Sequence, residues 1–186
     1  FLISPEVFWD SAFRLHELEM VDMYENEVVR ISDQVLSTYL FYLAFFKEKA
    51  LDFSNILQNY FPSFRSKISD SLFPTLNAFD QNTIFYLLRP KVQKIWDDLM
   101  ANNDDENLLT LAEFFWRLLP TSTLSFIQKR LSQSQFAPAD FSQLEELDPN
   151  KINNVSIITE LRILGRFRYT PLDLRNVALE LVLDYL

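Results

Sequence analysis

Cysteine is absent from this 186-residue chain. That excludes a disulfide framework, a thiolate metal site and a thiol nucleophile. Histidine occurs once, at His16. A zinc site would need other ligands, and a Ser-His-Asp triad would have to run through this one residue. Glycine also occurs once, at Gly165. Phosphate-cradling loops need several glycines so that backbone N–H groups can approach the phosphates. A Walker A loop or a dinucleotide fingerprint is therefore excluded within the chain, and nothing calls for a cofactor. The longest strictly apolar run, Tyr39 to Phe46, falls far short of the roughly 18 residues a membrane span needs. No basic segment precedes an apolar one at the front, so no secretory leader is expected. Positive charge is in deficit as well. The net charge of −9 argues against duplex nucleic acid, whose binding depends on neutralising phosphates.

What is present is apolar and aromatic. The chain is 48% hydrophobic and 15% aromatic, with 18 Phe, a globular rather than a disordered composition. Its length suits one large domain or two small ones with a buried core. Scarce glycine favours helices, since each interior glycine costs about 1 kcal/mol relative to alanine. These features fit a cytoplasmic protein with neither a membrane nor a nucleic-acid partner. The chain begins with Phe1 rather than Met and reads as a fragment of a longer protein.

Ser4-Pro5-Glu6 is a helix start, with Ser4 as N-cap and Pro5 in the first position. Phe8, Ser11, Ala12, Leu15 and Leu18 continue at helical spacing to about Glu19. A hairpin is expected over residues 20–31, in one of two registers. If Tyr24 faces Val28 across Glu25-Asn26-Glu27, then Val21, Met23, Val29 and Ile31 share one face and Asp22 stands opposite Arg30. A one-residue shift would set Val21 against Arg30. The first register sorts apolar from charged residues and is preferred. Ser32 or Asp33 caps a helix to about Lys49. Its stretch from Tyr39 to Phe46 is apolar all round and should be buried from several sides.

Phe53 to Phe61 reads as a short helix, and Pro62 and Pro74 punctuate the region up to Phe79. Asp80 starts a long helix that Pro90 should kink or split. Asp104 or Asp105 caps the next helix, which buries Leu108, Leu111, Ala112, Phe115 and Leu119 and ends at Pro120. A partner helix spans Thr121 to Gln133. Residues 134–154 are the least regular. Val155 to Phe167 and Thr170 to Leu186 form a second helix pair, with Thr170 as cap and Leu174, Val177, Ala178, Leu181, Val182 and Tyr185 on one face. Two similar helix pairs suggest stacked helical repeats. The expected architecture is mainly α. A partial winged-helix-like element with its hairpin occupies residues 1–50, and a solenoid-like helical-repeat array occupies 51–186.

The run SPEVFWDSAFRLHELEMVDMYENEVVRISDQVLSTYL, with its stretches LHELEMVDMYEN and VVRISDQVLSTYL, resembles the region after the nucleotide-binding core of bacterial STAND-type NTPases. These are large signal-transduction ATPases that include antiviral-defence sensors. The resemblance covers residues 4 to 60 and contains no catalytic signature. It implies a winged-helix element that relays nucleotide state, followed by helical repeats leading to a sensor. The nucleotide-binding residues of that family would lie upstream of Phe1, and none carries over. The implied role is a non-catalytic regulatory or scaffold segment whose partners are other domains of the same polypeptide. The alternative is a stand-alone helical-repeat module that binds a protein or peptide.

Individual residues favour plain roles. Between Pro5 and Asp33 eight acids face only Arg14 and Arg30, a local charge of −6 that would repel DNA from the wing. His16 suits a packed or surface position better than catalysis. Asp97, Asp98, Asp104, Asp105 and Glu106 lack the alternation and the glycine of a calcium loop, and suit helix ends. Arg162, Arg166, Arg168 and Arg175 are the one basic concentration. Arg162 and Arg166 share a helix face, as an anion or nucleic-acid patch, an acidic-partner surface, or a solvated face paired with Glu160 and Asp173. Of Phe114, Phe115 and Trp116, at least one should lie at a seam between helices. The candidate interaction residues are Asp22, Tyr24, Val28 and Arg30 on the free hairpin face, and Arg162 with Arg166. The hairpin is expected to dock on something outside this segment.

Overall fold

A computed structural model describes residues 3–25, 27–133 and 159–185. Among them the chain forms nine α-helices and one two-stranded antiparallel hairpin. It divides into two compact units, Phe1–Leu88 and Arg89–Leu186. The expected boundary near residue 50 falls inside the first unit.

In the first unit, α1 (Pro5–Glu17) starts at Ser4, whose Oγ accepts the Val7 N–H at 3.3 Å. The helix ends in a Schellman motif. The Glu19 N–H reaches the His16 carbonyl at 2.9 Å, and the Met20 N–H reaches that of Leu15, also at 2.9 Å. Glu19 holds the left-handed position, φ 56°, where glycine is usual. This tight stop aims the chain directly into β1 (Val21–Tyr24), which returns as β2 (Val28–Ile31). The register is Val21↔Ile31, Asp22↔Arg30, Met23↔Val29 and Tyr24↔Val28, the one that sorts apolar from charged side chains.

Asp33 caps α2 (Gln34–Tyr42), accepting the Leu36 N–H at 2.7 Å. The Ser32 hydroxyl instead donates to Asp22 at 3.2 Å. A π-helical turn, Leu43–Lys47, continues α2. After it come α3 (Phe53–Asn59) and α4 (Phe61–Ala78). Aromatic rings tie α2 to this pair. Tyr42 stacks flat on Phe79 at 3.8 Å, and Phe41, Phe45 and Phe46 surround Phe53. Because α2 packs on α4, the front element joins the following helices in one unit.

Two expectations need correction here. The apolar stretch Tyr39 to Phe46 is not buried from several sides. Only Phe46 is buried, α2 itself has no buried residue, and Tyr39 is exposed. Its cover comes from α4 and from the Phe53 ring of α3, and it leaves residues 40–45 half-buried. Nor does Pro74 break the chain, since it lies inside α4. Its missing N–H leaves the Asp70 carbonyl without its helical donor. Hydroxyls bond neighbouring carbonyls, Ser71 to Lys67 at 3.1 Å and buried Thr75 to Ser71 at 2.8 Å.

Pro90 likewise lies inside α5 (Gln81–Ala101), which is not split. Asp80 opens this helix. It accepts the Asn82 N–H at 3.1 Å and the Thr83 hydroxyl. The Thr83 hydroxyl, and then the Asn82 N–H, hold the Asp80 carboxyl below its ordinary range. A second Schellman motif ends α5, with Asn103 at φ 53°. There the Asp104 N–H meets the Leu99 carbonyl at 3.0 Å.

In the second unit Asp104 caps α6 (Asp105–Phe115) through the Asn107 N–H. Next come α7 (Pro120–Gln133), α8 (Thr159–Arg166) with a 3-10 turn at Phe167–Tyr169, and α9 (Leu172–Tyr185). The helix over 155–158 and the irregular stretch 134–154 lie outside the described residues. α8 packs on α6, α7 and α9, and α9 also packs on α7. Leu108, Leu111, Ala112, Phe115, Leu119, Ile127, Ile163 and Phe167 fill the core. Phe115 and Trp116 are buried while Phe114 is half-buried, as three aromatics in a row on a helix require. The Thr170 cap is corrected. Its hydroxyl donates backwards to the Phe167 carbonyl at 2.7 Å, closing the 3-10 turn, and α9 begins two residues later. On α9 the buried side chains are Ala178 and Leu181; Val177, expected on that face, is exposed.

Candidate functional site

The free face of the hairpin is the first place to look for a site. Tyr24 and Val28 are exposed neighbours across the ladder, and Arg30 is exposed beside them. Asp22 is half-buried, and its carboxylate takes the Ser32 hydroxyl. No ion pair joins Asp22 to Arg30 among the described residues. The opposite face packs on α1 and α2, with Val21 fully covered. His16 fixes this arrangement. Its Nδ1 lies 2.9 Å from the Val21 carbonyl, so it donates there and ties the helix end to the first strand.

α1, whose apolar residues recur at helical spacing in the sequence, carries apolar exposure of its own. Val7, Phe8, Leu15 and Leu18 lie along one side at helical spacing, and all are exposed, Leu18 by 68%. Of α1 only Ala12 is buried. Val35, at the start of α2, is 76% exposed. The periodicity was a true sign of an apolar face, but the partner that covers such a face cannot be read from spacing. Clustered apolar exposure of this kind marks protein–protein contact surfaces.

The second candidate pair, Arg162 and Arg166, is committed inside the fold. Arg162 Nη2 lies 3.0 Å and Arg166 Nη2 3.3 Å from Glu113 Oε1, and Arg166 also donates to the Glu113 backbone carbonyl. Two guanidinium groups thus converge on the C-terminal end of α6, where the helix dipole favours positive charge. The expected pairing with Glu160 and Asp173 does not form. Glu160 is buried and bound by Arg130 Nε at 2.7 Å, with Asp105 at 3.9 Å from the same guanidinium. Glu113 was the residue missed. It lies 53 positions from Arg166, too far for any local pattern to show.

No group of His, Asp and Glu able to hold a metal ion occurs among the described residues. The acidic run is used locally, with Asp97 accepting from Gln93 at 2.8 Å, Asp104 as a cap and Asp105 near Arg130. No helix among the described residues is long and apolar enough to cross a membrane. Searches of protein-family models, curated proteins and solved structures find no match to the chain.

Proposed function

We propose that this chain is a non-catalytic regulatory and scaffold segment of a larger cytoplasmic STAND-like signalling NTPase, coupling an ATPase core to a sensor. The observation that carries the reading is the uncovered apolar side of α1 together with the free hairpin face. A hairpin alone is marginal in water, and here one face is anchored while the other is left for a neighbour. The sequence resemblance of residues 4 to 60 names that neighbour as the ATPase module and the hairpin as the wing of a partial winged helix. The acidic tip, with Glu25 and Glu27, disfavours DNA as the occupant.

Hydrogen exchange tests this. In a longer chain carrying an upstream ATPase region, exchange in residues 7–18 and 21–31 slows and changes with nucleotide. Equal exchange with and without that region, and with and without nucleotide, overturns the proposal. The second reading is a helical-repeat module that binds a protein or peptide. It draws support from the two helix pairs α6–α7 and α8–α9, which share one core.

A further inference from the structure

The outer side of α9 carries a second uncovered apolar feature, and its pattern is self-complementary. Leu174, Ala178, Leu181 and Tyr185 form the covered side of the helix. Diametrically opposite, by the helical repeat of about 100° per residue, lie Leu172, Asn176, Leu179 and Leu183. All four are exposed, the leucines by 60%, 56% and 62%. Their spacing of four, three and four residues is the d-a-d-a seam of a coiled coil, with Asn176 at an a position. A single asparagine there selects a parallel two-stranded pairing at some cost in stability.

The flanking charges point the same way. Arg175 takes a g position and Glu180 the e position five residues on, the two that meet between chains in a parallel pair. Neither has an ion-pair partner among the described residues. An antiparallel pair would instead bring the e-position acids Asp173 and Glu180 together. We infer that α9 is a homodimerisation helix. Two copies of this chain associate in parallel through Leu172, Asn176, Leu179 and Leu183, with reciprocal Arg175–Glu180 pairs between subunits.

Two heptads form a seam smaller than the roughly 1,200–2,000 Å² of a standard stable interface. The dimer is therefore weak, taken here as a Kd of about 100 µM, between the micromolar and millimolar marks of weak association. Sedimentation equilibrium of the 186-residue chain reads this directly. Arg175→Glu or Glu180→Arg alone turns two attractive pairs into two repulsive ones and weakens association about tenfold. The double variant, with both charges exchanged, restores it. Every substituted side chain is exposed, and circular dichroism verifies that each variant folds. Since the chain has no cysteine, Asn176→Cys supplies a clean probe. It oxidises to a covalent dimer, because a parallel seam brings the two Cα atoms within disulfide range, whereas Asp184→Cys on the flank does not. A chain that stays monomeric up to several-fold above about 100 µM overturns the inference. So does a dimer indifferent to the charge reversals, or one that fails to cross-link at 176.

Discussion

The front module (residues 3–47) and the α6–α9 bundle are built from similar stock, aromatic and leucine-rich amphipathic segments, yet they use it differently. In the bundle the apolar sides that face one another are covered, with Leu108, Leu111, Ile127, Ile163 and Phe167 all essentially inaccessible, ion pairs link separate helices, and the outer side of α9 stands open. In the front module Ala12, Val21 and Phe46 are the buried residues, and apolar side chains stand in solvent. The bundle is stabilised by its own contacts. The module is held together largely by backbone devices: a capped start, a Schellman stop, a hairpin and the His16 link. A segment organised by its backbone while its apolar side chains remain uncovered is suited to receiving a partner.

The sharpest way to break this contrast is truncation. Leu111→Ala should destabilise the protein by about 2–5 kcal/mol in chemical denaturation, through lost burial and a residual cavity. Leu18→Ser should change stability by less than about 0.5 kcal/mol. Comparable losses at the two sites would mean the front face is covered after all. Next in size, Glu160→Ala removes the 2.7 Å partner of Arg130 and leaves the more distant Asp105. A loss of about 1–2 kcal/mol is expected, allowing for solvent screening of the partly exposed guanidinium.

A gain is expected at Thr123. It is completely buried, and its hydroxyl has no hydrogen-bond partner among the described residues. Thr123→Val keeps the shape, removes the unsatisfied group and should stabilise the bundle by about 1 kcal/mol. A loss instead would reveal a hidden partner for that hydroxyl.

Two smaller changes sharpen the contrast between backbone and side-chain control. Glu19→Gly relieves a left-handed residue in the module, and Gly165→Ala adds a methyl into open space on α8. Each should raise the melting temperature, by about 0.5–1 kcal/mol in free energy. The smallest effect is acid sensitivity at α5. The Asp80 carboxyl has a lowered pKa, so its contribution is present above the unfolded value of 3.8 and fades as pH falls through the lower folded value. Asp80→Asn should flatten the stability–pH curve in that acidic window alone.

Local chemistry was legible and long-range chemistry was not. The caps at Ser4, Asp33 and Asp104, the hairpin register and the core face of α6 all follow from short-range pattern. Pro74 does not punctuate the chain and Pro90 does not split its helix, because packing can hold a helix through a missing N–H. The Glu113 clamp escaped because its parts lie far apart in sequence. The front and outer faces escaped for another reason. Periodicity identifies an apolar side but says nothing of whether this chain supplies its cover.

The π-helical turn at Leu43–Lys47 bears on how this chain tolerates length changes. Its Glu48 N–H reaches back five residues to the Leu43 carbonyl at 2.8 Å, so one residue more than an α-turn is accommodated there. That surplus brings Phe45 and Phe46 together around Phe41, at 4.9 and 6.0 Å. Removing Ala44 would place both rings at three- and four-residue spacing from Phe41, the α-helical neighbours of the same side. A single-residue deletion, ruinous to register in most helices, is here absorbed as a return to ordinary α geometry. The turn therefore acts as slack in the chain, a place where sequence length can drift while the aromatic cluster stays whole.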